Sequence, residues 1–169
     1  MCRNGEDNRE CENVRTMTQR GCRMQFTFEY GGPVRGQGRP RFARVGRCVR
    51  TYERLADIRY KQALRREYIE QGGQHFGSRP VSVKIVAMRA LPETLAKKGV
   101  ETDIHKPDVD NIAKAVLDAL TGVAYDDDKQ VTRLVVEKYP RTTSGGDRLR
   151  VTVADVGGDM LYPYQYEIR

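Results

Sequence analysis

The stretch that most constrains this chain is Lys106-Pro-Asp-Val-Asp-Asn-Ile-Ala-Lys-Ala-Val-Leu-Asp-Ala-Leu-Thr-Gly122, with Asp126-Asp-Asp-Lys-Gln-Val131 close behind. Ile112, Ala113, Val116, Leu117 and Leu120 recur at helical spacing, so Asn111–Leu120 is expected to be an amphipathic helix. Asp110 is the expected N-cap, and Gly122 stops the helix. The β-branched run from Val131 to Tyr139 then reads as a strand. With the apolar run Val81–Met88 upstream, the order is strand, helix, loop, strand.

The rest of the chain fits around that unit. Met24, Phe26, Phe28 and Tyr30 alternate with polar residues, as a half-buried strand requires. Residues 52–71 carry Tyr52, Leu55, Ala56, Ile58, Ala63, Leu64, Tyr68 and Ile69 as the apolar stripe of a second helix, closed by Gly72-Gly73. Arg148–Ala154 reads as a fourth strand, and residues 93–105 as a loop with a short helical piece. The expected fold class is α+β: a single domain with a small mixed β-sheet of about four strands packed with two main helices. Its expected limits are residues 24–156. Residues 1–23 are polar without period and read as a disordered extension, and 157–169 as a frayed tail.

Charge sorts the functional classes. The chain carries a formal +7, yet Lys106–Gln130 holds six aspartates against three lysines, a net −3. Residues 31–50 are the opposite: Arg35, Arg39, Arg41, Arg44, Arg47 and Arg50, five glycines and no acid. Glycines let backbone amides approach a phosphate, and guanidinium groups bind it bidentately. Gly31–Arg41 is expected to be a loop, and residues 31–50 as a whole a surface that contacts a DNA backbone, although a solvated basic hairpin would look the same. Cys2, Cys11, Cys22 and Cys48 form no Cys-x-x-Cys pair and His75 and His105 stand far apart, which argues against a zinc site and for free thiols. No apolar run approaches a membrane span and no signal-peptide core opens the chain, so a cytoplasmic protein is expected.

The acids carry the chemistry. Asp108 and Asp110 follow Pro107 at a spacing of two, which in an extended segment puts both on one face. Lys114 falls one helical turn beyond Asp110, where it can meet a phosphate oxygen. If the chain returns after the helix, an aspartate of 126–128 would complete an oxygen-rich site for Mg²⁺ or Mn²⁺. An EF-hand loop is a poor alternative, because Ile112 and Ala113 stand where an acid and a glycine are needed. The residues alone leave two readings open: a metal-dependent enzyme on nucleic acid, and a non-catalytic DNA-binding protein whose acids are caps and turns.

Lys106–Leu120 followed by Asp127-Asp-Lys-Gln-Val131 resembles the signature of the RusA family of Holliday-junction resolvases, and Gly38-Arg-Pro-Arg-Phe42 resembles the basic loop of its phage and prophage members. The resemblance runs from about Met24 to Val156. It implies a Mg²⁺-dependent endonuclease that acts as a homodimer on four-way junction DNA, in recombination and repair. Its catalytic aspartates fall on Asp108, Asp110 and Asp128 and its catalytic lysine on Lys114, with Asp127 as a further metal ligand. Arg35, Arg39, Arg41, Arg44, Arg47 and Lys106 would bind DNA. Other branched DNA is the alternative substrate.

Overall fold

The computed structural model describes residues 24–39, 41–94, 100–143 and 145–156. Expectations for residues 1–23 and 157–169, and for Cys2, Cys11 and Cys22, fall outside that set, as does the side chain of Arg41.

Four strands form the main sheet: β1 (Gln25–Gly31), β4 (Val81–Met88), β6 (Val131–Lys138) and β8 (Arg148–Asp155), in the order β1-β8-β4-β6. β8 is antiparallel to both β1 and β4, while β4 and β6 are parallel. The sheet is mixed, as expected for an α+β domain. Two short ribbons stand apart from it, β2 (Arg41–Val45) with β3 (Cys48–Tyr52), and β5 (Val100–Glu101) with β7 (Arg141–Thr142).

Strand alternation divides the two faces of the sheet. Phe28, Val83, Ile85, Leu149, Val151 and Val153 are buried on one face, beneath α1 (Leu55–Glu70) and α2 (Val109–Leu120). The other face is largely polar, with Val86 its buried apolar residue on β4. There Thr27 meets Thr152 at 2.8 Å, Arg150 meets Glu29 at 2.6 Å, and Lys84 meets Glu137 at 3.1 Å.

α1 buries Tyr60, Leu64 and Tyr68, spaced four residues apart, so they form one stripe. Tyr68 packs edge-on against Phe26 and Phe28, with ring centroids 5.2 and 5.3 Å away, and Tyr60 does so against Tyr30 at 5.6 Å. Each buried ring contributes about 1.5–3 kcal/mol of transfer free energy. The expected α1 stripe therefore needs two corrections. Tyr60 belongs to it, and Leu55, Ala56 and Ile69 do not, all three being exposed. The expected helix start at residue 52 also moves, because Tyr52 pairs with Arg41 as the last residue of β3.

The basic stretch is a loop only as far as Arg39. From Arg41 it is the β2–β3 hairpin, turning at Gly46-Arg47, where Gly46 takes φ +63°. A side chain rarely adopts that backbone conformation, so the glycine permits the tight turn.

α2 buries Ile112, Ala113, Ala115, Val116, Ala119 and Leu120, close to the expected face. Arg65 of α1 caps its C-terminus, donating from Nε to the Ala119 carbonyl at 2.7 Å and from Nη2 to Thr121 at 3.2 Å. A guanidinium there satisfies orphan carbonyls and opposes the negative end of the helix dipole.

Candidate active site

α2 begins two residues earlier than its apolar pattern suggests. Its N-cap is Asp108, at φ −74° and ψ 153°, and the Ile112 amide closes onto the Asp108 carbonyl at 3.1 Å. Asp110 is thus a first-turn residue rather than the cap. Proline restrains the residue before it, not the one after, so the chain is free to turn helical once past Pro107. The rule that alternate residues share a face does not apply to Asp108 and Asp110, because only Asp108 is extended. What unites them is the helix dipole: both carboxylates stand within the first turn, where unpaired amides favour negative charge. Lys114 is exposed one turn further on. Neither Asp108 nor Asp110 makes an ion pair among the described residues; Asp110 accepts from Asn111 Nδ2 at 3.3 Å.

The segment leading to this turn is clamped from below. Asp103 is buried between two cations, with Arg89 Nη1 3.2 Å from its Oδ2 and Lys138 Nζ 3.7 Å from its Oδ1. The same cations reach the backbone just ahead of the aspartates. Arg89 donates to the carbonyls of His105 at 3.3 Å and Lys106 at 2.7 Å, and Lys138 donates to His105 at 2.5 Å. Arg89 follows β4 and Lys138 ends β6, so two parallel strands fix the entry to α2 at their C-terminal edge. The Lys106–Pro107 peptide bond within this segment is cis. The sequence carries no signal for the clamp, because its three members lie far apart in the chain.

The arginine loop docks onto the same helix start. The Gln37 amide donates to the Asn111 carbonyl at 2.9 Å, and Gln37 Nε2 donates to Asp118 Oδ2 at 2.9 Å. Asp118 also lies 3.6 Å from Lys61 Nζ, so it is a supporting charge that ties the loop to both helices. A Cβ at Gly36 would come within 2.8 Å of the Cβ atoms of Pro107 and Asn111. Only glycine allows so close an approach. Arg35, Arg39, Arg44, Arg47 and Lys106 are all exposed.

The remaining acids lie elsewhere. Asp128-Lys-Gln130 is a 3₁₀ turn whose N-cap is Asp127. Asp127 Oδ1 accepts from the Lys129 amide at 3.0 Å, and Gln130 Oε1 accepts from the Asp127 amide at 2.9 Å, which completes a capping box. The Lys129 amide, followed by its ammonium 3.0 Å away, holds the Asp127 carboxyl below its ordinary value of 3.8. Gln130 also donates from Nε2 to the carbonyls of Gly77 at 2.7 Å and Arg79 at 2.9 Å. These bonds pin the turn beside the residues that enter β4. Burial raises the pKa of the nearby Tyr125 phenol, and the charges of Asp128 and Asp118 add to the shift.

A geometric conflict follows. Asp127 and Asp128 sit where β4 and β6 begin, whereas Asp108 and Asp110 sit where those strands end. The 12 residues of α2 run between the two groups, roughly 18 Å at 1.5 Å per residue. In a parallel strand–helix–strand unit the helix carries the chain back to the opposite edge of the sheet, so the expected return of the third carboxylate to Asp108 and Asp110 does not occur within one chain. Accordingly, no group of three or more Asp, Glu, His or Cys side chains among the described residues could hold a metal ion. The described carboxylates of a single chain do not fit one three-ligand ion.

Comparison with known proteins gives two matches. The family model of the endodeoxyribonuclease RusA matches residues 31–154. A Bacillus subtilis (strain 168) protein bearing the name "Uncharacterized protein YqaN" is 33% identical over 125 residues, covering 69% of this chain and 87% of the relative. No helix among the described residues is long and apolar enough to cross a membrane. The matched region takes in the arginine loop, both helices and both aspartate groups, and the chain belongs to the RusA endodeoxyribonuclease family.

Proposed function

We propose that the protein is an endodeoxyribonuclease that resolves four-way junction DNA by paired phosphodiester hydrolysis, acting as a homodimer with Mg²⁺ or, in its place, Mn²⁺. The observation that carries the reading is the start of α2. There an aspartate pair with no ion pair among the described residues, an exposed lysine and a docked arginine loop meet in a chain of this family. In this reading the exposed arginines and Lys106 hold the flanking backbone through charge-assisted bonds. Lys114 faces the scissile phosphate and offsets the charge that grows as the bond to the leaving oxygen breaks. A divalent cation, when bound, would allow carboxylates and phosphate to approach and would lower the pKa of a bound water.

The separation of the aspartate groups supports assembly in pairs. A two-fold interface repeats every contact, so a partner whose Asp128 end lies against the Asp108 end of α2 creates two identical composite sites. Two sites answer to the two equivalent strands of a junction.

The test uses Asp110→Asn and Asp128→Asn, each inactive alone, mixed under conditions of subunit exchange. Composite sites predict that the mixed dimer recovers one intact site, so labelled junctions are nicked on one strand. The same mixture should regain one Mn²⁺ per dimer by electron paramagnetic resonance. If each site lies within one chain, the mixture stays inactive and the composite arrangement is wrong. Wild-type protein that cuts neither junction nor fork DNA with Mg²⁺, but still binds both, would favour the binding module. Equal cutting of linear duplex would indicate a general nuclease, and preference for forks over four-way junctions would indicate a nuclease for other branched DNA.

A further inference from the structure

The β2–β3 hairpin has an exposed face that phosphate contact does not explain. In the register of the ribbon Phe42 lies opposite Thr51, and Arg44 opposite Val49. Opposed and alternate residues share a face, so Phe42, Arg44, Val49 and Thr51 stand together. Phe42 is 70% exposed and Val49 is 66% exposed. A lone exposed apolar residue means little. Here two share one side of a two-stranded ribbon that joins no larger sheet, a structure marginal in water by itself. All of the described β3 side chains are exposed.

The charge around this face narrows the partner. Arg44, Arg47 and Arg50 are exposed on the ribbon, and residues 31–52 contain no acid. That surface would repel a basic partner, including a second copy of the same ribbon, and would attract a polyanion. A polyanion made only of phosphates gives no role to Phe42. Nucleic acid supplies both, with phosphates for the arginines and base faces for the ring. In intact duplex those faces are stacked on one another, and parting a step costs a few kcal/mol. At a branch point the stack is already interrupted, so a ring can be accommodated at lower cost.

We propose that Phe42, flanked by Val49, is a wedge that stacks on bases exposed at a DNA branch point, so that the hairpin senses structure as well as charge. This rests on the junction-DNA reading above. The placement suits it: Gln37, bonded to Asn111 beside the aspartate pair, is five residues from Phe42, a reach of at most about 18 Å. The wedge would then bind bases close to the strand that is cut.

The test is binding in EDTA, where no cutting occurs, with the full chain and fluorescent four-way junction or duplex of the same arm sequences. Phe42→Ala should weaken junction binding about tenfold and duplex binding less than twofold, as expected from the loss of one stacked base. Arg44→Ala should weaken both alike. With 2-aminopurine at the branch point, wild type and Phe42→Trp should change its fluorescence and Phe42→Ala should not. Equal loss on junction and duplex, or no loss, overturns the wedge, as does a change of oligomeric state in Phe42→Ala, which would make the ribbon a chain–chain contact. Wild type that binds duplex and junction equally would instead refute the junction-DNA reading. An unchanged circular dichroism melt excludes misfolding as the cause.

Discussion

Replacing Asp103 by Asn tests whether the buried clamp sets the aspartate-bearing helix start. The substitution keeps shape and one acceptor but removes the charge. Asp103 is fully buried as a side chain, and its cations Arg89 and Lys138 are only 12% and 11% exposed. At an effective dielectric of 20, contacts of 3.2 and 3.7 Å each correspond to roughly 5 kcal/mol of attraction before desolvation is subtracted. The substitution also leaves two like charges facing each other without an anion. Breaking a buried pair typically costs 3–5 kcal/mol, and because both cations can lean toward water about 3 kcal/mol is expected here. At about 4 °C per kcal/mol for a domain of this size, Tm should fall by roughly 12 °C. Circular dichroism melts of Asp103→Asn, Arg89→Met and the double variant give the coupling. The double variant should lose less than the sum of the singles, because removing Arg89 relieves the repulsion that Asp103→Asn creates. Junction cleavage by Asp103→Asn, measured well below its Tm, should fall further than the folded fraction, since the His105 and Lys106 carbonyls lose their fixed donors. A Tm within about 3 °C of wild type, or strict additivity, would show that the clamp carries little of the fold.

Two further outcomes are expected. Gly36→Ala should detach the arginine loop from α2, because its Cβ meets two other Cβ atoms at 2.8 Å and neither neighbour is a flexible chain end; overpacking of this kind costs about 1–3 kcal/mol, read as a lower Tm together with weaker DNA binding in an anisotropy titration. The Tyr60 and Tyr68 phenols, each pushed up by burial to about 12, favour the folded state while neutral. Both pKa values are raised, so this stability is complete below the ordinary tyrosine value of 10 and is lost as pH climbs through 12. Spectrophotometric titration at 295 nm should place their ionisation at the alkaline unfolding step, and a Tyr68→Phe variant should shed part of that transition.

Much of the fold was legible because it rests on local periodicity. Alternation marks β1, apolar and β-branched runs bounded by turn residues mark the other three sheet strands, and the 3.6-residue repeat marks α2 with nearly its true buried face. The sequence marks the loop to Arg41 but neither strand of the hairpin beyond it, since a β-ribbon with no buried face leaves no alternation to find. Tyr60 was missed from the α1 stripe, although its spacing to Leu64 and Tyr68 is regular. Leu55, Ala56 and Ile69 were wrongly included, because apolar type alone does not tell which way a helix end faces.

The sequence by itself determined which residue types are available: an aspartate pair before a helix, a lysine one turn on, an Asp-Asp-x-Gln turn and an acid-free arginine run. Local chemistry suffices for these, since caps, turns and charges act over a few residues. Tertiary structure decided which of them meet. Parallel pairing of β4 with β6 forces α2 to run back along the sheet, which sends Asp128 to the edge opposite Asp108 and Asp110. Glycine at position 36 brings the arginine loop onto that helix, and a buried Arg89–Asp103–Lys138 cluster fixes its first turn. Spacing along the chain cannot reveal such meetings, because they depend on the direction in which each element crosses the sheet.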